Sequence, residues 1–239
     1  MTQTQIHRHT RLSIFMHWFN AGCWIFLFLT GLGLIQNDDL QPFTSWPTIL
    51  RIVFGGGANL LLAHEIVGII WAGGFLLYGI IRLKSDVLPF FREIFNVDIH
   101  RDFLWLIAKG IQMTLGYQAL GVIAKKFGFS PVIPDQGFYN IGQKIFAIPA
   151  VFGGIVIVAS GVTMILSQIG MASTELVQWA ILIHFITVGL VFAGLLIHVF
   201  MASIAAGEQP AFISMFTGSV PEDYARHHHK LWLDDVKKS

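Results

Sequence analysis

Cysteine is almost missing from this chain. Cys23 stands alone, which excludes an internal disulfide framework and any cysteine-ligated cluster within the chain. Charge is nearly as scarce: Asp, Glu, Lys and Arg make up 12% of 239 residues, against roughly 25% in ordinary soluble domains. The formal net charge is only +1, so nothing marks nucleic acid as a partner. There is no internal repeat and no low-complexity segment. In place of charge stands apolar matter, 54% of the residues, with a mean hydropathy of +0.66. A deficit and an excess of this size together point to a membrane protein.

Four stretches are long enough to cross a hydrocarbon core, which takes about 20 apolar residues. They run over 14–35, 60–81, 145–166 and 177–206, and a C-terminal tail, 207–239, follows. The first is too long for the apolar region of a signal peptide and has no cleavage site after it, so it is expected to be a retained helix. The last is long enough to tilt or to emerge into the interface. Pro149 falls in the first turns of the third, where it is tolerated or kinks the helix. Between the second and third spans, residues 101–128 mix apolar residues with widely spaced charges. This predicts one or two amphipathic helices lying on the membrane surface, since a crossing would bury Lys109 and Gln112. The glycines and prolines of GFSPVIPDQG, 128–137, mark the turn before the third span.

Fourteen of the 15 lysines and arginines fall in the N-terminal segment, the 82–144 connection or the tail, and only Arg51 lies on the other side. The positive-inside rule then predicts that both termini are cytoplasmic, in a bacterial inner membrane. The fold expected is an all-α membrane protein: a four-transmembrane-helix bundle with an amphipathic interfacial helix or helices between spans 2 and 3.

His17, His64, His184 and His198 lie inside these spans, where polar side chains are costly and face a partner in the protein interior. One such histidine is accounted for by a hydrogen bond to a neighbouring carbonyl. Four call for geometry. His184 and His198 are fourteen residues apart, about 40° short of four full helical turns, so they share a face about 21 Å apart along the axis. His17 begins a span that starts inside and His64 one that starts outside. Depth therefore pairs His17 with His198 at the inner level and His64 with His184 at the outer. Two facing pairs bridging helices are what two six-coordinate haem irons need, and bis-imidazole ligation suits electron transfer. Gly68, Gly189 and Gly194 offer room for flat macrocycles, although glycine is common in membrane helix packing anyway. On this reading residues 1–239 form a single dihaem membrane domain. Cys23 is expected to serve packing only.

Four motifs then fall in order: HW at 17–18, ILIH at 181–184 with LLIH at 195–198, GFYNIGQK at 137–144, and YARHHHKLWLDD at 224–235. In that order and spacing, over nearly the whole chain, the sequence resembles the membrane cytochrome b (gamma) subunit of respiratory formate dehydrogenases. The resemblance implies a four-helix subunit with two haem b groups that passes electrons to menaquinone or ubiquinone near the inner haem. It implies His17 and His198 as inner-haem ligands, His64 and His184 as outer-haem ligands, and Asn140, Gly142 and Gln143 as the quinone site. Asn140 reads equally as a helix N-cap, and both roles are compatible. The partners implied are an iron–sulfur (beta) subunit and a molybdenum or tungsten catalytic (alpha) subunit, so that no residue of this chain acts on formate itself. One departure stands out: the tail reads HHHKLW where the family pattern would place a proline after paired histidines.

Cytochrome subunits of nickel–iron hydrogenase and thiosulfate reductase share the broad design and remain alternatives. A transition-metal transporter using the intramembrane histidines and Glu65 is a third, opposed by the apolar middle of the spans. His227, His228 and His229 are expected in an exposed cytoplasmic tail touching a partner or the quinone mouth, with metal binding the weaker alternative. His7, His9 and His100 are expected at the surface.

Overall fold

The computed structural model describes residues 4–238, and every side chain among them but that of Asp38. Ten α-helices and one two-stranded ladder appear among the described residues. In chain order they are β1 (Gln5–His7), α1 (Arg11–Leu34), α2 (Trp46–Phe54), α3 (Gly57–Ile81), α4 (Leu88–Phe95), α5 (Ile99–Phe127), α6 (Ile141–Ser167), α7 (Thr174–Val199), α8 (Gln209–Thr217), β2 (Ser219–Pro221), α9 (Glu222–His228) and α10 (Lys230–Lys238). The four expected spans are α1, α3, α6 and α7 with its π-helical continuation to Ile204, all long and apolar enough to cross a membrane. The chain divides into two compact units, each built from segments distant in sequence.

One unit comprises Thr10–Leu83 and Ala150–Gly194, and so holds most of the four long helices. α1 starts where Thr10 Oγ1 accepts the Ser13 N–H at 3.1 Å, satisfying an N–H that the first turn leaves open. Its helices are apolar on every side, and their outward faces carry large exposed side chains such as Ile25, Ile69, Leu76 and Leu190. That is the surface a lipid-facing bundle presents. Inside, helices approach closely where glycine allows it. A Cβ at Gly153 would lie 2.5 Å from Val191 Cγ2, and one at Gly74 would lie 2.8 Å from the Phe19 ring. Trp71 Nε1 donates to Asn20 Oδ1 at 2.9 Å, tying α3 to α1, and Phe28 stacks on Phe192 with ring centres 3.9 Å apart.

The α2 helix was not anticipated from the sequence. Pro47 in its first turn and Gly55, φ +72°, at its end frame it. It caps the end of α1, with Trp46 Nε1 donating to Leu29 O at 2.8 Å and Leu50 packing where Gly33 leaves space. At nine residues it is too short to register as a span.

The other unit comprises the N-terminal residues through His9, Lys84–Pro149 and Leu195–Ser239. α5 is the amphipathic segment predicted between spans 2 and 3. Asp98 caps its start by accepting the Arg101 N–H at 2.9 Å. Gly116, at φ +85° and ψ 170°, breaks it into two helical pieces, a conformation that only glycine adopts easily. β1 and β2 pair antiparallel, Ile6 opposite Val220, and close over a small core of Val220, Tyr224, Ala225 and Leu233. The tail is therefore folded. This corrects the expectation for His229, which is fully buried, whereas His227 is exposed and His228 half-buried. His7 and His100 are exposed as expected, but His9 is half-buried, edge-on to Phe138 at 5.9 Å.

Candidate haem centre

Within the first unit the structure brings His64 of α3 and His184 of α7 together, with ring centres 6.5 Å apart and planes inclined at 66°. Each ring is held through Nδ1. Thr30 Oγ1 donates its proton to Phe26 O at 2.8 Å, leaving its oxygen to accept from His64 Nδ1, also at 2.8 Å. His184 Nδ1 lies 3.2 Å from Ile157 O and 3.0 Å from Ser160 Oγ. A carbonyl only accepts, so this Nδ1 carries the proton, and Ser160 donates its own to Val156 O at 2.7 Å. Both rings are thereby fixed in the tautomer whose Nε2 has a free lone pair. Two imidazoles on opposite sides of one metal, at bond lengths of about 2 Å, place their centres about 6 Å apart. Donor set, tautomer and spacing all fit a single six-coordinate haem iron.

The glycines that open space beside these rings are Gly31 and Gly161. A Cβ would lie 3.4 Å from His64 Cε1 at the first and 3.7 Å from His184 Cε1 at the second. Neither was singled out from the sequence. Of the glycines that were, Gly68 faces Leu27 and Gly189 has open space beside it. Thr30 and Ser160 were missed as well, yet the depth argument could have found them. Each is a hydroxyl late in the first or third span, and because successive spans alternate in direction that puts it at the level of His64 and His184, early in the second and fourth.

Over residues 8–218 the chain matches the family model for prokaryotic cytochrome b561. It belongs to that family. As a b-type cytochrome with four apolar helices it is a multi-pass membrane protein that binds haem b. The cytochrome is 24% identical to the cytochrome b556(fdo) subunit of formate dehydrogenase from Escherichia coli strain K12, over 98% of this chain and 94% of that one. It is 23% identical to the formate dehydrogenase cytochrome b556 subunit of Haemophilus influenzae, over 96% of this chain and 82% of that one.

His17 and His198 fall in different units. His17, on α1, is half-buried and edge-on to Trp18, with ring centres 5.3 Å apart. His198, near the end of α7, lies face-on to Phe146 of α6 at 4.7 Å and 11°. Cys23 is half-buried on α1. Glu65, beside His64, accepts from Gln168 Nε2 at 2.5 Å. Among the described residues no group of three or more His, Cys, Asp or Glu could hold a bare metal ion.

At the start of α6 the stretch Asn140–Gln143 forms a capping box. Asn140 Oδ1 accepts the Gln143 N–H at 2.9 Å, and Gln143 Oε1 accepts the Asn140 N–H at 3.0 Å. Gln136 Oε1 takes the Ile141 N–H at 3.0 Å, and the Asn140 carbonyl takes that of Lys144 at 3.1 Å. Lys144 is itself buried, its Nζ donating to Asn96 O at 2.6 Å. Before the helix, Tyr139 lies in a dry setting that pushes its phenol up to about 12, opposed by Arg8 and reinforced by Glu93.

Proposed function

We propose that this cytochrome is the dihaem membrane subunit of a formate dehydrogenase complex, taking electrons from an iron–sulfur subunit and passing them to a quinone. The observation that carries the reading is the His64–His184 pair, 6.5 Å apart with both Nδ1 atoms engaged. A haem there supplies one-electron transfer. Thr30, Ser160 and Ile157 keep the Nδ1 protons in place, so that both Nε2 lone pairs remain ligands and both rings keep their orientation. The names of the two relatives, matched over 94% and 82% of their own lengths, support formate dehydrogenase as the complex, and the resemblance carried by the sequence motifs implies a molybdenum or tungsten catalytic subunit as the formate-oxidising partner.

The second haem is assigned to His17 and His198 on the depth argument from the sequence. The quinone is assigned to Asn140, Gly142 and Gln143. The capping box uses the side-chain oxygens of Asn140 and Gln143, which leaves their amide N–H groups as donors. Of the first-turn backbone N–H groups, those of Ile141, Gln143 and Lys144 are taken by Gln136 and Asn140, and that of Gly142 is left over. Donors of this kind suit a quinone carbonyl. Both termini and the second connection are placed on the cytoplasmic side of the inner membrane, so that protons for the reduced quinone come from the cytoplasm.

The decisive test is purification from native membranes with bound partners. Extracted haem should amount to two b-type groups per chain, and mass spectrometry should find an iron–sulfur chain and a formate-oxidising chain. One haem per chain would overturn the dihaem assignment, and a hydrogen- or thiosulfate-oxidising partner would overturn the donor. In the same preparation Asn140→Ala should slow reoxidation of the reduced haems by quinone while both haems remain loaded.

A further inference from the structure

The C-terminal segment and the residues before α1 converge on one short loop, 135–138, that leads into the capping box of α6. Four consecutive tail residues each grip a different residue of it. His229 Nδ1 donates to Gly137 O at 2.8 Å, and the Leu231 N–H donates to Gln136 O at 3.1 Å. Lys230 Nζ reaches Asp135 Oδ2 at 3.0 Å, and the Trp232 ring stands edge-on to Phe138 at 5.4 Å. From the other end of the chain, Arg8 Nη2 donates to Phe138 O at 2.6 Å while its guanidinium lies 4.6 Å over the Phe138 ring and 5.1 Å over that of Trp232. Gln136 passes this grip onward. Its side chain is buried, its Oε1 accepts the Ile141 N–H at 3.0 Å, and its Nε2 donates at 3.2 Å to Asp102 Oδ1, a buried carboxylate on α5.

Two details separate this from ordinary packing. The surroundings of His229 and Arg8 are dry, and His229 Nε2 and Arg8 Nη1 are buried atoms with no hydrogen-bond partner. Leaving such groups unpaired is costly, so the contacts that His229 Nδ1 and Arg8 Nη2 do make, both to loop carbonyls, are what fix the two side chains. Moreover, the gripped residues end two positions before Asn140, too close for the loop to shift without moving the box.

We propose that His229 and Arg8 are positioning residues for quinone binding: they lock the 135–138 loop and so hold Asn140, Gly142 and Gln143 in place as a donor set. This rests on the assignment of the quinone to those three residues. The two side chains act through the loop and touch no quinone.

The test uses the purified complex and two readouts. Backbone hydrogen exchange over residues 135–144 reads the lock directly. Stopped-flow reoxidation of dithionite-reduced haem by decylubiquinone or menadione separates the half-saturating concentration from the limiting rate. His229→Ala should speed exchange over 135–144 and raise half-saturation by roughly three- to tenfold, the loss of one buried hydrogen bond, with little change in limiting rate or haem content. His229→Asn, whose amide can donate from the Nδ1 position, should restore both readouts. Arg8→Lys, which keeps the charge but not the fork, provides a second route to the same phenotype if His229→Ala does not assemble. Unchanged exchange in His229→Ala, or no rescue by His229→Asn, refutes the lock. Faster exchange with unchanged half-saturation refutes its link to quinone. In that case Asn140→Ala decides between the two claims: if it too leaves half-saturation and rate alone, the quinone assignment has failed, and if it impairs them, only the lock's role has failed.

Discussion

Mild acid should unfasten the C-terminal segment through one buried ring. Burial, and then the nearby Arg8 guanidinium with smaller contributions from His228 and His9, hold the His229 pKa well below 6.5, against the opposing hydrogen bond to Gly137 O. The rings around it are those of Tyr224 at 6.0 Å and His228 at 6.5 Å on α9, and Trp232 at 6.4 Å on α10. A histidine kept neutral in the docked state but able to protonate once released binds more protons when released. Its contribution to docking is therefore complete above pH 6.5 and declines as the pH falls below that value. The free imidazole's own titration from 6.5 caps the loss at pH 5 at about 2 kcal/mol, or about thirtyfold in the opening equilibrium. The carboxylate of Glu208 acts in a separate, more acid window. Burial pushes it up, but the hydrogen bonds from His228 and Tyr224 and the charge of Lys109 hold it below 4.5, so its contribution is lost only as the pH falls through that lowered value. Hydrogen exchange of residues 222–236, corrected for the intrinsic effect of pH, should show the change between pH 7.5 and 5, and His229→Asn, which cannot titrate, should abolish it. The same acid response in that variant, or none in the native protein, would refute the reasoning.

His184→Ala should remove the outer haem while leaving the spectrum of the other largely in place; loss of the other haem alone would reverse the depth assignment. Thr30→Val should leave His64 in place but deprive its Nδ1 of an acceptor, shifting the outer haem's midpoint potential in a spectroelectrochemical titration without loss of haem. Gly153→Ala should force α6 and α7 apart, since the new Cβ meets Val191 at 2.5 Å, and should cost about 1–3 kcal/mol, read as earlier thermal loss of the Soret band. An alkaline phosphatase fusion after Ser239 should be inactive, and activity would invert the proposed topology.

The long helices were legible because hydrophobic length alone decides them, and the structure ends each within a few residues of the expected limits. The closeness of His64 and His184 was legible because relative depth and helical phase are simple arithmetic. The residues that hold those histidines were not legible. A hydroxyl in an apolar span reads as neutral filler until the ring it serves is placed, as Thr30 and Ser160 show. The tail misled for a different reason. HHHK looks solvated when read locally, and what buries His229 is a set of contacts 92 residues away in sequence, with Gly137 O, and at the opposite end of the chain, with Arg8. α2 escaped notice because nine residues carry too few turns to stand out from a loop.

The way the outer pair is anchored has a bearing on assembly. His64 leans on a hydroxyl of α1 and His184 on a hydroxyl and a carbonyl of α6, so four helices converge on a centre that, in the proposed ligation, would take ligands from only two. The imidazoles are thus aimed by groups of the chain itself. Cofactor capture can then follow bundle formation as a docking event, and a strand of the bundle that donates nothing to iron can still govern how readily iron is kept.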